Sequence, residues 1–130
     1  MGQAQSPHQD LNGQEAIETI KKLTEKAGVC FFVTDIGKNP HSIPMSLQEV
    51  DEEGTLWFIS SSENTHNQNL AKDPSVHLYF LNNSSYEYIF IQGKGEVSKD
   101  RDLIEIYYSH FADAWFDGKD DPRITVIGVK

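Results

Sequence analysis

Apolar residues first recur at helical spacing. Ala16, Ile17, Ile20, Leu23 and Ala27 share one face, while Glu18, Lys21, Lys22 and Glu25 fall elsewhere, which predicts an amphipathic helix. Asn12, with Glu15 three residues on, suits its start, and Gly28 its end. Val29–Thr34 is then a short apolar run of strand type, followed by a turn over Asp35–Asn39. His41–Val50 reads as the second strand, with Ile43, Met45 and Leu47 on one face and Ser42, Ser46 and Gln48 on the other. Pro44 cannot donate to a ladder, so this strand should be an edge or be bulged there.

Asp51-Glu52-Glu53-Gly54 is a hairpin turn with glycine where a positive φ is needed. Thr55–Ser61 follows as a β-branched and aromatic strand. Thr65-His66-Asn67-Gln68 fits a capping box, with Thr65 as cap and Gln68 three residues on, ahead of a short helix over Asn67–Lys72 that Asp73-Pro74 stops. A helix start presents free N–H groups and partial positive charge, so it can hold a phosphate or simply cap a surface helix. Ser75–Leu81 and Tyr86–Val97 are further strands around the polar turn Asn82–Ser85, and Gly93 and Gly95 in the second imply a bulge or a close backbone approach. Asp100 opens a third helix carrying Leu103, Ile104, Tyr107, Tyr108 and Phe111, and Ile124–Val129 is the last strand.

Short connections between consecutive strands favour antiparallel pairing, hence an α+β fold with six antiparallel strands and flanking helices, enough strands to close a small β-barrel. Residues 1–11 read as a flexible leader and residues 12–130 as one domain, consistent with a chain of 130 residues.

Composition narrows the partners. The chain carries 11 basic and 20 acidic residues, a formal charge of −9; nucleic acid and anionic membrane surfaces are poor partners for such a balance. Cys30 stands alone inside an apolar run, so it is expected to be a buried free thiol, suited to a reducing compartment. No run has the length of a transmembrane helix and Met1–Asp10 has no signal-peptide core, so the expected location is the cytoplasm.

Chemistry is less legible. His8, His41, His66, His77 and His110 show no metal-ligand spacing, and Gly93-Lys94-Gly95 lacks the third glycine and following helix of a dinucleotide fingerprint. The carboxylates of Asp51–Glu53 and Asp117–Asp121 sit in turns, where a solvated surface is the default. Trp57, Phe58, Tyr79, Phe80, Tyr86, Tyr88, Phe90, Trp115 and Phe116 exceed what one small core needs. They either pack the core or include an exposed surface, for a dimer or a planar ligand.

A set of ordered segments adds a resemblance. Pro44-Met45-Ser46, Gly54–Ser60, Asn69–Pro74, Gln92–Glu96 and Ala114–Pro122 together resemble the pyridoxamine-phosphate-oxidase-like FMN-binding split barrels, in their general stress protein branch. The resemblance spans about Glu15 to Val129. It implies a six-stranded split barrel that dimerises, with FMN in clefts between subunits. It further implies that Pro44, Met45, Ser46 and Leu47 border the flavin ring and that Ile59, Ser60 and Ser61 line the ribityl chain. Thr65 and His66 would then approach the phosphate, and Trp115 and Phe116 would cover the ring from the partner subunit.

Two departures predict a weakened hold on FMN: Ile43 and His66 stand where relatives usually carry basic residues. Each lost charge-assisted bond is worth about 1.5–3 kcal/mol. Relatives also continue past the last strand, and the long basic substrate-binding tail of the true oxidases has no counterpart after Val129, so vitamin B6 oxidase activity is not expected. No residue stands out as an obligatory acid or base, which leaves the question of an enzyme open. The competing readings are a flavin-binding, redox-linked homodimer, a non-catalytic dimer that has lost flavin, and a cleft for haem or another flat cofactor.

Overall fold

The computed structural model describes residues 13–82, 84–108 and 116–130. Helix α1 (Gly13–Ala27) ends as its sequence requires: Gly28 takes φ +79 and its N–H donates to the Thr24 carbonyl at 2.8 Å, an αL stop that glycine adopts without steric cost. The Asn12 cap and the leader lie outside the described residues.

Seven strands follow: β1 (Val29–Thr34), β2 (His41–Ser46), β3 (Glu49–Val50), β4 (Leu56–Ser61), β5 (Ser75–Asn82), β6 (Glu87–Ser98) and β7 (Ile124–Val129). They form one antiparallel sheet in the order β2-β1-β5-β6-β7-β4-β3, with helices α2 (Thr65–Lys72) and α3 (Arg101–Tyr107). The α+β barrel expectation therefore holds, with seven strands rather than six. The expected single strand His41–Val50 breaks because two neighbours compete for it. The Leu47 N–H donates to the Gly28 carbonyl and the Gln48 N–H to the Trp57 carbonyl, both at 2.9 Å. Between those residues the chain leaves β1 and joins β4, carrying it from one edge of the sheet to the other. Pro44 sits on the β2 edge, opposite Phe31, where its missing N–H costs no ladder bond.

This crossing closes the barrel at one end and leaves it split at the other. Following β2 back from Ser46 and β4 forward from Trp57, the two strands separate with no ladder between them. The interior is filled by Phe32, Phe58 and Phe80, each at most 1% exposed, with Val76, Leu78, Ile127 and Val129 around them. Phe32 and Phe58 meet edge to face at 5.3 Å, a favoured aromatic arrangement.

Strand β6 belongs to both halves of the barrel. Glu87–Lys94 pairs with β5, and Gly95–Ser98 with β7. No residue is skipped at the change of partner, so the close-approach reading of the two glycines is the correct one. A Cβ on Gly93 would lie 2.6 Å from the Lys130 carbonyl oxygen, and one on Gly95 3.1 Å from a Leu70 methyl carbon.

Helix α3 starts where expected, the Asp100 carboxylate accepting from the Asp102 N–H. It covers the outside of β4 and β7, Ile104 meeting Ile124 and Val126. Tyr107 stacks on Trp57 at 5.2 Å. With the barrel on one side and α3 on the other, every residue of β7 is buried, which explains its unbroken apolar run. Among the described residues the outer face of β1, β5 and β6 has no such cover: Phe31, Tyr79, Leu81, Tyr88 and Phe90 are exposed, Tyr88 at 78%. Part of the aromatic surplus is thus surface.

Two turn carboxylates are more than solvated surface. Asp51 accepts from the N–H groups of Glu53 and Thr55 and from the Trp57 indole, tying the Gly54 turn to β4. Asp121 is buried, its carboxylate receiving Arg123 and the Asp117 N–H. The default of a solvated turn fails at both positions because each carboxylate satisfies backbone donors that the turn would otherwise leave unpaired.

Candidate functional site

The split between β2 and β4 is a cleft of about 640 Å³, within the range of small-molecule sites. One wall is Ile43–Ser46 of β2 and the other Ile59–Ser61 of β4; Gln48, Glu63, Asn64, His66, Phe116 and Arg123 complete it. Of the residues proposed from sequence, Pro44, Met45, Ser46, Ile59, Ser60, Ser61, His66 and Phe116 come together here, Phe116 from the same chain rather than from a partner subunit. Leu47 turns to the barrel core instead, since it lies past the crossing. Thr65 is exposed and absent from the cleft wall, and Trp115 lies outside the described residues.

The capping box is also shifted. Asn64, with φ −78 and ψ 149, is the N-cap of α2, and Thr65 is the first helical residue. The Asn64 N–H closes a turn onto the Ser61 carbonyl at 3.0 Å, which starts the helix one residue before the sequence pattern placed it. Asn64 makes no side-chain cap bond, so among the described residues the first N–H groups of the helix stay available beside it.

His66 lines the cleft as a buried side chain. It is 2% exposed, and burial, followed by the nearby charge of His41, pushes its pKa down to about 4. It is therefore a neutral imidazole at pH 7 and cannot replace a lost cation. Its Nε2 hydrogen-bonds the Ser60 hydroxyl, which donates to Asn67 Oδ1 at 2.9 Å; Asn67 Nδ2 donates to Thr125 Oγ1 at 2.7 Å. With Asn67 Oδ1 facing Ser60, the one hydroxyl hydrogen of Ser60 goes to Asn67, and the Ser60–His66 bond then takes its hydrogen from an Nε2–H tautomer of His66.

The cation of the cleft is Arg123, which sequence reading overlooked. It is the only basic side chain among the described lining residues apart from neutral His66. It immediately precedes β7, and its carbonyl accepts the Ser62 N–H at 2.8 Å, so the β4–β7 ladder delivers it beside Ser61. Asp121 fixes the guanidinium through Nε at 3.0 Å and an Nη at 2.6 Å, and the guanidinium carbon stands 5.6 Å from the centre of the Phe116 ring. Arg123 in turn holds the Asp121 carboxyl far below the usual carboxylate range. The Asp-x-Arg spacing was in the sequence; which cleft it served was not.

The fold and cleft define an α+β split-barrel protein. The family description "Pyridoxamine 5'-phosphate oxidase like" matches residues 15–130, and the chain belongs to this family. It is 23% identical to general stress protein 26 of Bacillus subtilis over 124 residues, 92% of this chain and 86% of that one. Among solved structures, general stress protein 26 of Bacillus anthracis superposes with TM-score 0.77 at 18% identity, covering 89% of this chain and 88% of that one. The general stress FMN/FAD binding protein of Xanthomonas citri gives 0.69 at 19% identity, covering 90% and 81%.

Proposed function

We propose that the cleft binds FMN, that the protein works as a homodimer, and that its role is redox-linked. The observation that carries this reading is the cleft itself: two apolar walls spaced by the split, with a fixed guanidinium and an uncapped helix start at one end. Pro44, Ile59 and Phe116 offer flat apolar contact for a ring system. Ser61 and the first N–H groups of α2 offer donors, and Arg123 offers the charge that Ile43 and His66 do not. Bound flavin would supply the hydride or electron chemistry; the chain's part is to orient it and exclude water. The Xanthomonas relative named for FMN/FAD binding, and membership of the family, support the same ligand.

The homodimer is supported by the aromatic face of β1, β5 and β6, which no described residue covers and where Tyr79 and Phe90 stack at 4.8 Å; such a patch marks an association surface. Tyr79→Lys should convert the dimer to monomer in sedimentation at micromolar concentration. No helix among the described residues is long and apolar enough to cross a membrane, and the free, buried Cys30 supports a cytoplasmic setting.

The test is an absorbance spectrum after FMN addition and desalting, repeated on Arg123→Met. Retained flavin bands, with affinity about 10–100-fold lower in the variant and riboflavin affinity unchanged, support the reading. A colourless dimer that cannot retain FMN would sink it. The second reading, a dimer without flavin, would then stand; the neutral, buried His66 favours it.

A further inference from the structure

A larger groove, of about 920 Å³, lies between α2 and the β6–β7 ladder. Its floor is apolar, with Leu70, Ala71, Pro74 and Val97, and Lys94, Lys99 and Lys130 lie around it against one side-chain carboxylate, Glu96. In a chain of formal charge −9 this is a local reversal of sign. None of the three lysines forms an ion pair among the described residues. One Lys99 ammonium bond goes to the Pro122 carbonyl, at 2.9 Å.

The wall shared by groove and cleft is the hydrogen-bonded chain of His66, Ser60, Asn67 and Thr125. Ser60 and His66 line the cleft; Asn67 and Thr125 line the groove. All four side chains are buried, Thr125 at 1% exposure. Every donor in the chain points the same way: His66 Nε2–H to Ser60, Ser60 Oγ–H to Asn67, Asn67 Nδ2–H to Thr125. Thr125 accepts the last of these bonds, and its own hydroxyl hydrogen has no acceptor among the described residues. A buried donor without a partner carries a free-energy cost, and an aligned chain of bonds places its positive end at this hydroxyl.

We infer that the groove is a second ligand site, taking a small organic anion with an apolar body whose oxygen accepts from Thr125 Oγ1. The lysines supply the charge and Leu70, Ala71 and Val97 the apolar contact. Because the accepting oxygen would polarise Thr125, occupancy reaches His66 along the chain, and so reaches the cleft.

Phenyl phosphate is a suitable probe. It is titrated into the full chain with no flavin present, so the outcome does not depend on what the cleft binds. Backbone amide resonances and the His66 ring Nε2–H are followed by ¹H–¹⁵N NMR. The expected result is saturable movement of the Gly95, Glu96, Val97 and Gly128 amides, weakened by added salt, with a shift of the His66 ring. Benzyl alcohol, apolar but neutral, should bind at least tenfold more weakly. The surface double variant Lys94→Glu, Lys99→Glu should weaken phenyl phosphate at least fivefold. Thr125→Val should weaken it and remove the His66 response, while Thr125→Ser, which restores a hydroxyl, should recover both. Still amides in the groove, or undiminished binding by the lysine double variant, would overturn the inference.

Discussion

The neutral state of His66 gives a pH dependence of stability that can be worked out in advance. Its imidazole is pushed from 6.5 to about 4, by burial first and by the charge of His41 second. A second proton would have to go on Nδ1, because Nε2–H is already committed to Ser60. Nδ1 has no acceptor among the described residues, and the ring packs against Phe32 at 5.9 Å between centroids. Between pH 6.5 and about 4 the unfolded chain therefore binds a proton that the native chain refuses, and stability falls as pH falls through that window. At about 1.4 kcal/mol per pKa unit, lowering the pH to 5 costs about 2 kcal/mol from this residue alone. Asp121 works in a different window: its carboxyl is held low by Arg123, so its contribution is lost only below the ordinary Asp pKa of about 3.9. The assay is urea unfolding followed by tryptophan fluorescence at pH 7, 6 and 5, at one protein concentration. His66→Gln is the control, since its amide can donate to Ser60 and has no charge to gain. The wild-type protein should lose about 2 kcal/mol more than His66→Gln between pH 7 and 5. Parallel curves, or a wild type that gains on acidification, would refute the neutral-imidazole account.

Other predictions follow from single contacts. Gly93→Ala places a Cβ 2.6 Å from the Lys130 carbonyl oxygen; it should destabilise by about 1–3 kcal/mol, while Gly37→Ala, with nothing within 4 Å, should shift Tm far less. Phe32→Ala empties the middle of the barrel and should cost about 3–5 kcal/mol in urea unfolding. Tyr107→Phe removes a 2.8 Å bond to Glu49 and should cost roughly 1–2 kcal/mol, with loss of the near-ultraviolet dichroism of the Trp57–Tyr107 stack as the marker that α3 has loosened. Asp121→Asn should lower FMN affinity without touching the ligand, because it frees the guanidinium of Arg123; isothermal titration beside Arg123→Met would show whether the two losses overlap, as they must if Asp121 acts through Arg123.

The cleft's basic side chain sits just before β7, whereas the family resemblance leads to an expectation of basic residues at the positions of Ile43 and His66. On the proposed reading Arg123 supplies one strong anion contact, whose hold depends on the Asp121–Arg123 pair. Arg is suited to that exchange because its planar fork can bond a carboxylate and still present donors to a second group.

What the amino-acid sequence determined by itself was local. The amphipathic spacing before Gly28, the positive φ of Gly54, the Asp100 cap and the edge position of Pro44 each follow from one residue's own conformational or hydrogen-bonding limits. Family resemblance, carried by several weak segments in order, assembled most of the cleft's walls. The rest depended on which strands meet. The break at Leu47 required Gly28 and Trp57 to compete for adjacent N–H groups. Asp121 became buried, and Arg123 entered the cleft, only because the β4–β7 ladder brings the end of one strand beside the start of another. The charge of His66 is open in the sequence and neutral in the fold, since a proton's cost is set by the solvent and partners around it. No periodicity encodes that. Burial and long-range pairing are properties of the closed barrel, and they decide charge, reach and exposure after the local elements are in place.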